Sequence, residues 1–257
     1  MSWLLNFSLT KFMTFNGGNM SIFDGVQKID LKKLEIDHNV KGILNALKKG
    51  DENIRCDAAR ALGRLKDQNA VDGLLESLED KSMDVRSNSA TALGVIGDKR
   101  AVWPLIKILK EDKWNVGVHA ADSLGMIGDP TAVEPLILSL NDLKVRNNSA
   151  IALGKIGDKT AIEPLINALN SENDFTFRTA SEEALGMIGD EEAIEPLVEL
   201  LNDKDISVKR HAAGALGKIG NEKAIKPLIN AQKNEKWYVK LQMEEAVKDI
   251  QSKKKEK

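Results

Sequence analysis

The side chains of this chain that could do chemistry are few. They are three histidines (His38, His119 and His211), one cysteine (Cys56), and a periodic set of arginines and aspartates. A nucleophile needs a base within hydrogen-bond reach, and a metal needs several convergent ligands. Cys56 and His119 lie more than two structural repeats apart, and His119 and His211 about three. The sequence holds no G-x-S-x-G, no G-x-x-x-x-G-K-[ST] and no H-E-x-x-H. The residues therefore point away from catalysis, and neither a metal nor a cofactor is expected.

The charged set has a fixed spacing. Arg55, Arg86, Arg146 and Arg178, continued by Lys209 and Lys240, occupy one phase. Asp67, Asp98, Asp129, Asp158 and Asp190 occupy another. Their regularity predicts a structural ladder. Each arginine satisfies a carboxylate or loop carbonyls of an adjacent unit through charge-assisted hydrogen bonds. Gly117 stands where the third unit should supply its arginine.

The element behind this spacing is a phrase. Ser149-Ala-Ile-Ala-Leu-Gly-Lys-Ile-Gly-Asp158 runs on into Ala161-Ile-Glu-Pro-Leu-Ile, and it returns around Leu62, Leu93, Leu124, Leu185 and Leu216. A worn copy lies at Ala246-Val247. A period of about 31 residues signals a stacked repeat. Each unit reads as two antiparallel helices. Asp98, for example, caps a first helix with apolar residues at helical spacing (Ala101, Val102, Leu105, Ile106 and Leu109). Pro104 near its start predicts a tight or offset first turn. A second helix then runs to Ile127, and Gly128 ends it. Counting from the central leucine, the core falls at −8, −4, −1, 0 and +3. Glycine at +1 costs about 1 kcal/mol against alanine inside a helix, so its recurrence predicts close backbone contact between stacked units.

Composition narrows the function classes. Of 257 residues, 42% are hydrophobic and 30% charged, with a net charge of −2. That balance argues against nucleic acid, which needs a concentrated basic field. A lone cysteine fits a reducing, cytoplasmic setting. No apolar run reaches the roughly 18 residues of a membrane span. Residues 1–19 are apolar and aromatic and do not match the rest. Asn16-Gly-Gly-Asn-Met20 is what a ribosome-binding sequence ahead of a start codon would encode. Translation is thus expected to begin at Met20, with an apolar tail as the alternative. Residues 20–38 are expected to form one or two capping helices, 39–251 a single array, and 252–257 a charged tail.

The pattern V-R-x-x-A-A-x-A-L-G-x-I-G-D-x-x-A-V-x-P-L-I resembles the HEAT-like repeats named for phycobilisome lyases. The resemblance implies an all-α, right-handed α-solenoid of about seven antiparallel helix pairs, whose second helices line the concave side. It implies a scaffold role by default, and a tetrapyrrole (phycobilin) lyase or lyase-associated chaperone as the alternative. A branch of the family hydroxylates a modified lysine using iron held by His-Glu pairs. Here those sites read His119-Ala120 and His211-Ala212, without the glutamate.

On the second helix a further stripe, at −10, −9, −6, −5 and −2, faces away from the core. Position −10 carries Met83, Trp114, Leu143, Phe175, Ile206 and Trp237, joined by Val118, Ile151, Tyr238 and Leu241. Asp84, His119, Asp122, Glu183 and Arg210 lie among them. A repeated apolar row with a polar rim marks a partner surface. The units agree where they stack and differ along this stripe. The sequence is thus read as a monomeric, non-enzymatic scaffold that binds a protein in its concave groove.

Overall fold

A computed structural model of the chain describes residues 13–16, 19–22, 30–111, 116–170 and 174–255. Two four-residue strands, β1 (Met13–Asn16) and β2 (Asn19–Ile22), pair antiparallel with Met13 opposite Ile22. Both alternate apolar and polar residues, the two-residue period of a strand. Of the capping helices expected over 20–38, the described residues contain α1 (Leu31–Ile36), capped by Asp30. Residues 23–29 lie outside the described set.

The remaining described residues form seven helix pairs. They are α2 (Val40–Lys49) with α3 (Glu52–Leu65), α4 (Val71–Glu76) with α5 (Met83–Ile96), and α6 (Val102–Glu111) with α7 (Val116–Ile127). There follow α8 (Val133–Ser139) with α9 (Arg146–Ile156), and α10 (Ile162–Asn170) with α11 (Phe175–Ile188). The array ends with α12 (Ile194–Leu200) and α13 (Ile206–Ile219), then α14 (Ile225–Ala231) and α15 (Trp237–Lys255). The chain is an α-solenoid.

The repeated phrase builds the same joint each time. The central leucines Leu62, Leu93, Leu124, Leu153, Leu185 and Leu216 are fully buried. The glycine after each one lets the next second helix close in. A Cβ on Gly154 would stand 2.6 Å from the Ala184 Cα, and one on Gly125 would stand 2.8 Å from the Ala152 Cα. The helix stop is also uniform. Gly97, Gly128, Gly157, Gly189 and Gly220 take φ between 66° and 78°, the left-handed region that glycine enters without a Cβ penalty. A short 3-10 turn then precedes each first helix from α4 onward (Lys99–Ala101, for example), so the prolines fall at the third helical residue, where an N–H has no intrahelical partner.

The charged ladder is present with different acids. Arg55 donates Nε and Nη2 to Asp80 at 2.8 and 2.9 Å, and Arg178 donates Nη1 to Asp205 at 2.9 Å. Arg146 pairs with Asp174, and Lys209 with Glu235. Each acid lies in the inter-helix turn of the next unit. Arg86 donates to the Asp80 carbonyl of its own turn at 2.9 Å. The partners expected from sequence, Asp67, Asp98, Asp129, Asp158 and Asp190, sit at the other end of the second helix, about 18 Å along its axis from the arginines. They cap the 3-10 turns instead, each accepting from the N–H two residues on, as Asp98 does from Arg100 at 2.8 Å. The cations that reach this row are Lys99 to Asp129 and Lys159 to Asp190, each from the preceding unit, and Arg100 to Asp98 within its own turn.

The two helix layers are packed unequally. Second helices lie flank to flank along the whole array, whereas neighbouring first helices touch little. Between α12 and α14 the first-helix layer leaves a groove of about 620 Å³, lined by Glu191, Glu192, Glu195, Glu199 and Lys223. An array spaced more tightly in one layer bends toward that layer, so the second helices form the concave side. At one end α1 closes the stack, with Glu35 accepting from Arg64 at 2.6 and 2.8 Å. At the other, α15 places Glu244 and Lys248 where inner units carry alanine or Glu182 and glycine.

Candidate interaction surface

The concave face is built from three rows of second-helix residues. The middle row holds positions −5 and −2, one helical turn apart, and it links adjacent units. Arg60 Nε donates to Asn88 Oδ1 at 3.0 Å, Thr91 Oγ1 meets His119 Nδ1 at 3.1 Å, and Asn148 Nδ2 donates to Asp122 Oδ1 at 3.0 Å. In every case position −2 of one unit meets −5 of the next. His119 and Asp122, expected to contact a partner, thus have partners within the array.

This rail is interrupted in the second half. Between α9 and α11 the paired positions are Ile151 and Ala180, and between α13 and α15 they are Gly214 and Gln242. Between α11 and α13 the rung is rebuilt differently. Position −3 is alanine in the other units before the last, but here it is Glu182. Its carboxylate accepts from His211 Nδ1 at 2.7 Å and from Lys218 Nζ at 2.9 Å. Gly214 makes the space, since a Cβ there would lie 2.4 Å from Glu182 Oε1. Burial opposes ionisation of Glu182, yet the His211 and Lys218 hydrogen bonds outweigh it and hold the carboxyl below its ordinary value. Sequence reading missed this cluster, although the break in the alanine column at −3 was its signal.

The second row is position −10, at the N-terminal ends of the second helices, except that Leu143 stands in the turn before α9. Leu143, Phe175 and Trp237 are 74%, 64% and 76% exposed, and Met83 and Leu241 are also open. The Phe175 ring lies over His211 with centroids 5.2 Å apart, and Trp237 meets Tyr238 edge-on at 5.6 Å. Val118, Ile151, Ile206 and Tyr238 are half-buried and pack on the core, so they are as much second-layer core as surface. Asp84, Glu183 and Arg210 are exposed. Trp114 lies outside the described residues. The third row, position +2 at the far edge, was not anticipated; it exposes Met126 and Met187.

Burial pushes the Cys56 thiol up, which keeps it protonated and unreactive. No group of three His, Cys, Asp or Glu among the described residues could hold a metal. No described helix is long and apolar enough to cross a membrane.

Comparisons with known proteins agree with this geometry. The HEAT-repeat profile matches residues 40–116, 85–142, 102–186 and 183–248. No curated protein sequence matches. Among solved structures, a chain of the complex of CpcE and CpcF of phycocyanin lyase from Nostoc sp. PCC7120 is 26% identical, with a TM-score of 0.55, over 82% of this chain and 94% of that one. YibA of E. coli shares the fold at 21% identity and a TM-score of 0.51, over 88% and 97% of the two chains. An engineered protein does so at 22% identity and a TM-score of 0.50, over 86% and 70%. With profile matches spanning nearly all of the helix pairs, the chain belongs to the HEAT-repeat family.

Proposed function

We propose that this array is a non-enzymatic scaffold that holds a protein partner against its concave face. The observation that carries the reading is the exposed row Leu143, Phe175 and Trp237, with Leu241 beside it. Large side chains left open at one phase of a repeat, beside polar groups, have the make-up of interface anchors. The related lyase chain, itself solved in complex with another protein, supports an assembly role. The test is affinity capture with wild type and with a Phe175→Ser/Trp237→Ser variant. A partner retained by wild type and lost by the variant is expected. Equal recovery by both would remove the anchor assignment.

The likeness to the phycocyanin-lyase chain carries a second reading, a role in handling a phycobilin. It predicts a shift in the visible spectrum of phycocyanobilin on mixing with the protein. An unchanged spectrum at saturating protein removes it.

A further inference from the structure

Resting on the scaffold reading, we infer that the occupant of the groove is an amphipathic α-helix of the partner, laid across units 4 to 7. Its polar flank carries a cation, an anion and a cation at successive seven-residue intervals.

Three observations lead there. The first is dimension. Packed helices are spaced about 8–10 Å apart, and two turns of an α-helix rise about 10.8 Å. A helix crossing the stack therefore presents one residue in seven to each unit. Four units span about 30 Å, the length of a helix of about 20 residues. Leu143, Phe175, Trp237 and Leu241 lie along that path.

The second is the backbone requirement. An extended segment brings an unpaired N–H and C=O at every residue and needs polar groups to meet them. In units 4 to 7 the middle row holds Ile151, Ala180 and Gly214 beside Asn148, Glu183, His211, Gln242 and Glu245. Asn148 and His211 Nδ1 are taken by Asp122 and Glu182. The two remaining carboxylates only accept, which leaves Gln242 as the one unengaged amide among the described residues of the row for the carbonyls of an extended segment. A helix satisfies its own backbone and asks the surface only for apolar contact.

The third is charge. Glu183, Arg210 and Glu245, in units 5, 6 and 7, are exposed and have no ion-pair partner among the described residues. Their signs alternate. A partner helix that complements them carries Lys or Arg, then Glu or Asp, then Lys or Arg, one per heptad. This order reads the same in both directions, so it identifies the helix whichever way it lies.

The experiment uses the full chain and a fluorescently labelled 24-residue peptide, with leucines at helical spacing and a Lys-Glu-Lys flank at seven-residue steps. Binding is read by anisotropy and peptide helicity by circular dichroism. Saturable binding is expected, weakened at least tenfold by Phe175→Ser/Trp237→Ser. A Glu-Lys-Glu peptide should bind at least tenfold more weakly to wild type and recover on a Glu183→Lys/Arg210→Glu/Glu245→Lys array. Equal binding of both charge orders overturns the inference. So does undiminished binding of a version broken by a central proline; if that binding still needs Phe175 and Trp237, the scaffold reading stands while the helix does not. Failure of every peptide also overturns the inference. The scaffold reading is judged separately, by affinity capture.

Discussion

Units 1 to 3 and units 4 to 7 share one stacking joint but differ on the concave face. In the first group the middle row is closed by hydrogen bonds between neighbours, Arg60 with Asn88 and Thr91 with His119, and the link on to unit 4 is Asp122 with Asn148. In the second group that series of links stops: Ile151, Ala180 and Gly214 stand among Glu183, Gln242 and Glu245, the one rung is His211 with Glu182, and Leu143, Phe175 and Trp237 are exposed at position −10. A surface whose polar groups already satisfy one another gains little from a partner. Exposed apolar side chains gain from being covered. The same scaffold thus has a finished half and an unfinished half.

The comparison requires stacking and recognition to be separable, and the largest expected effect tests that. Gly154→Val places a Cβ against the Ala184 backbone, which cannot retreat, and should cost about 3 kcal/mol in urea unfolding. Phe175→Ser, at the start of α11 and nine residues before Ala184, should change stability by less than about 0.5 kcal/mol, because its side chain is exposed. Similar costs for both would merge the two roles.

Arg178→Ala comes next. The arginine side chain is 5% exposed and pairs with Asp205, which is 39% exposed. Removing it should cost about 2 kcal/mol, less than for a fully buried pair because water screens the aspartate. Thermal denaturation reads the loss. A shift no larger than that of a surface lysine variant would show the ladder to be ornamental.

The smallest effect is pH-dependent and belongs to the rebuilt rung. The Glu182 carboxyl titrates lower in the folded chain than in the unfolded one. Its contribution is therefore present above the unfolded value of about 4.3 and lost as pH falls through the lower folded value. Glu182→Gln should flatten the loss of stability below about pH 4 and leave its slope near neutrality unchanged. A slope as steep as wild type below pH 4 would show that the rung is not linked to folding.

The architecture was legible in the sequence because a stacked repeat prints its packing rule once per unit. The alanine or serine before each central leucine, the glycine after it and the proline in the first helices of units 3 to 7 are demanded by contacts within a unit or with its neighbour. The ladder arginines were legible for the same reason, but their partners were not. Asp67 and Asp80 both follow a helix at regular spacing, and only the helix length separates the one that caps a turn from the one that meets Arg55. Exposure of Phe175 and Trp237 followed from size and phase. The engagement of His119 and Asp122 depended on the stagger between units, which spacing along the chain does not contain. Glu182 was visible as an exception in its column, but its meaning needed Gly214 and His211 beside it.

The most direct test of the central claim is site-specific photo-crosslinking in native lysate. A benzophenone amino acid is placed at position 175 or 237 in the open half, at 88 in the closed half, or at 138 on the convex side, where Leu138 is 58% exposed. Positions 175 and 237 should give the same discrete adduct while 88 and 138 give none. Equal adducts at 138, or adducts at 88 and not at 175, would contradict a partner seated on the concave face of units 4 to 7.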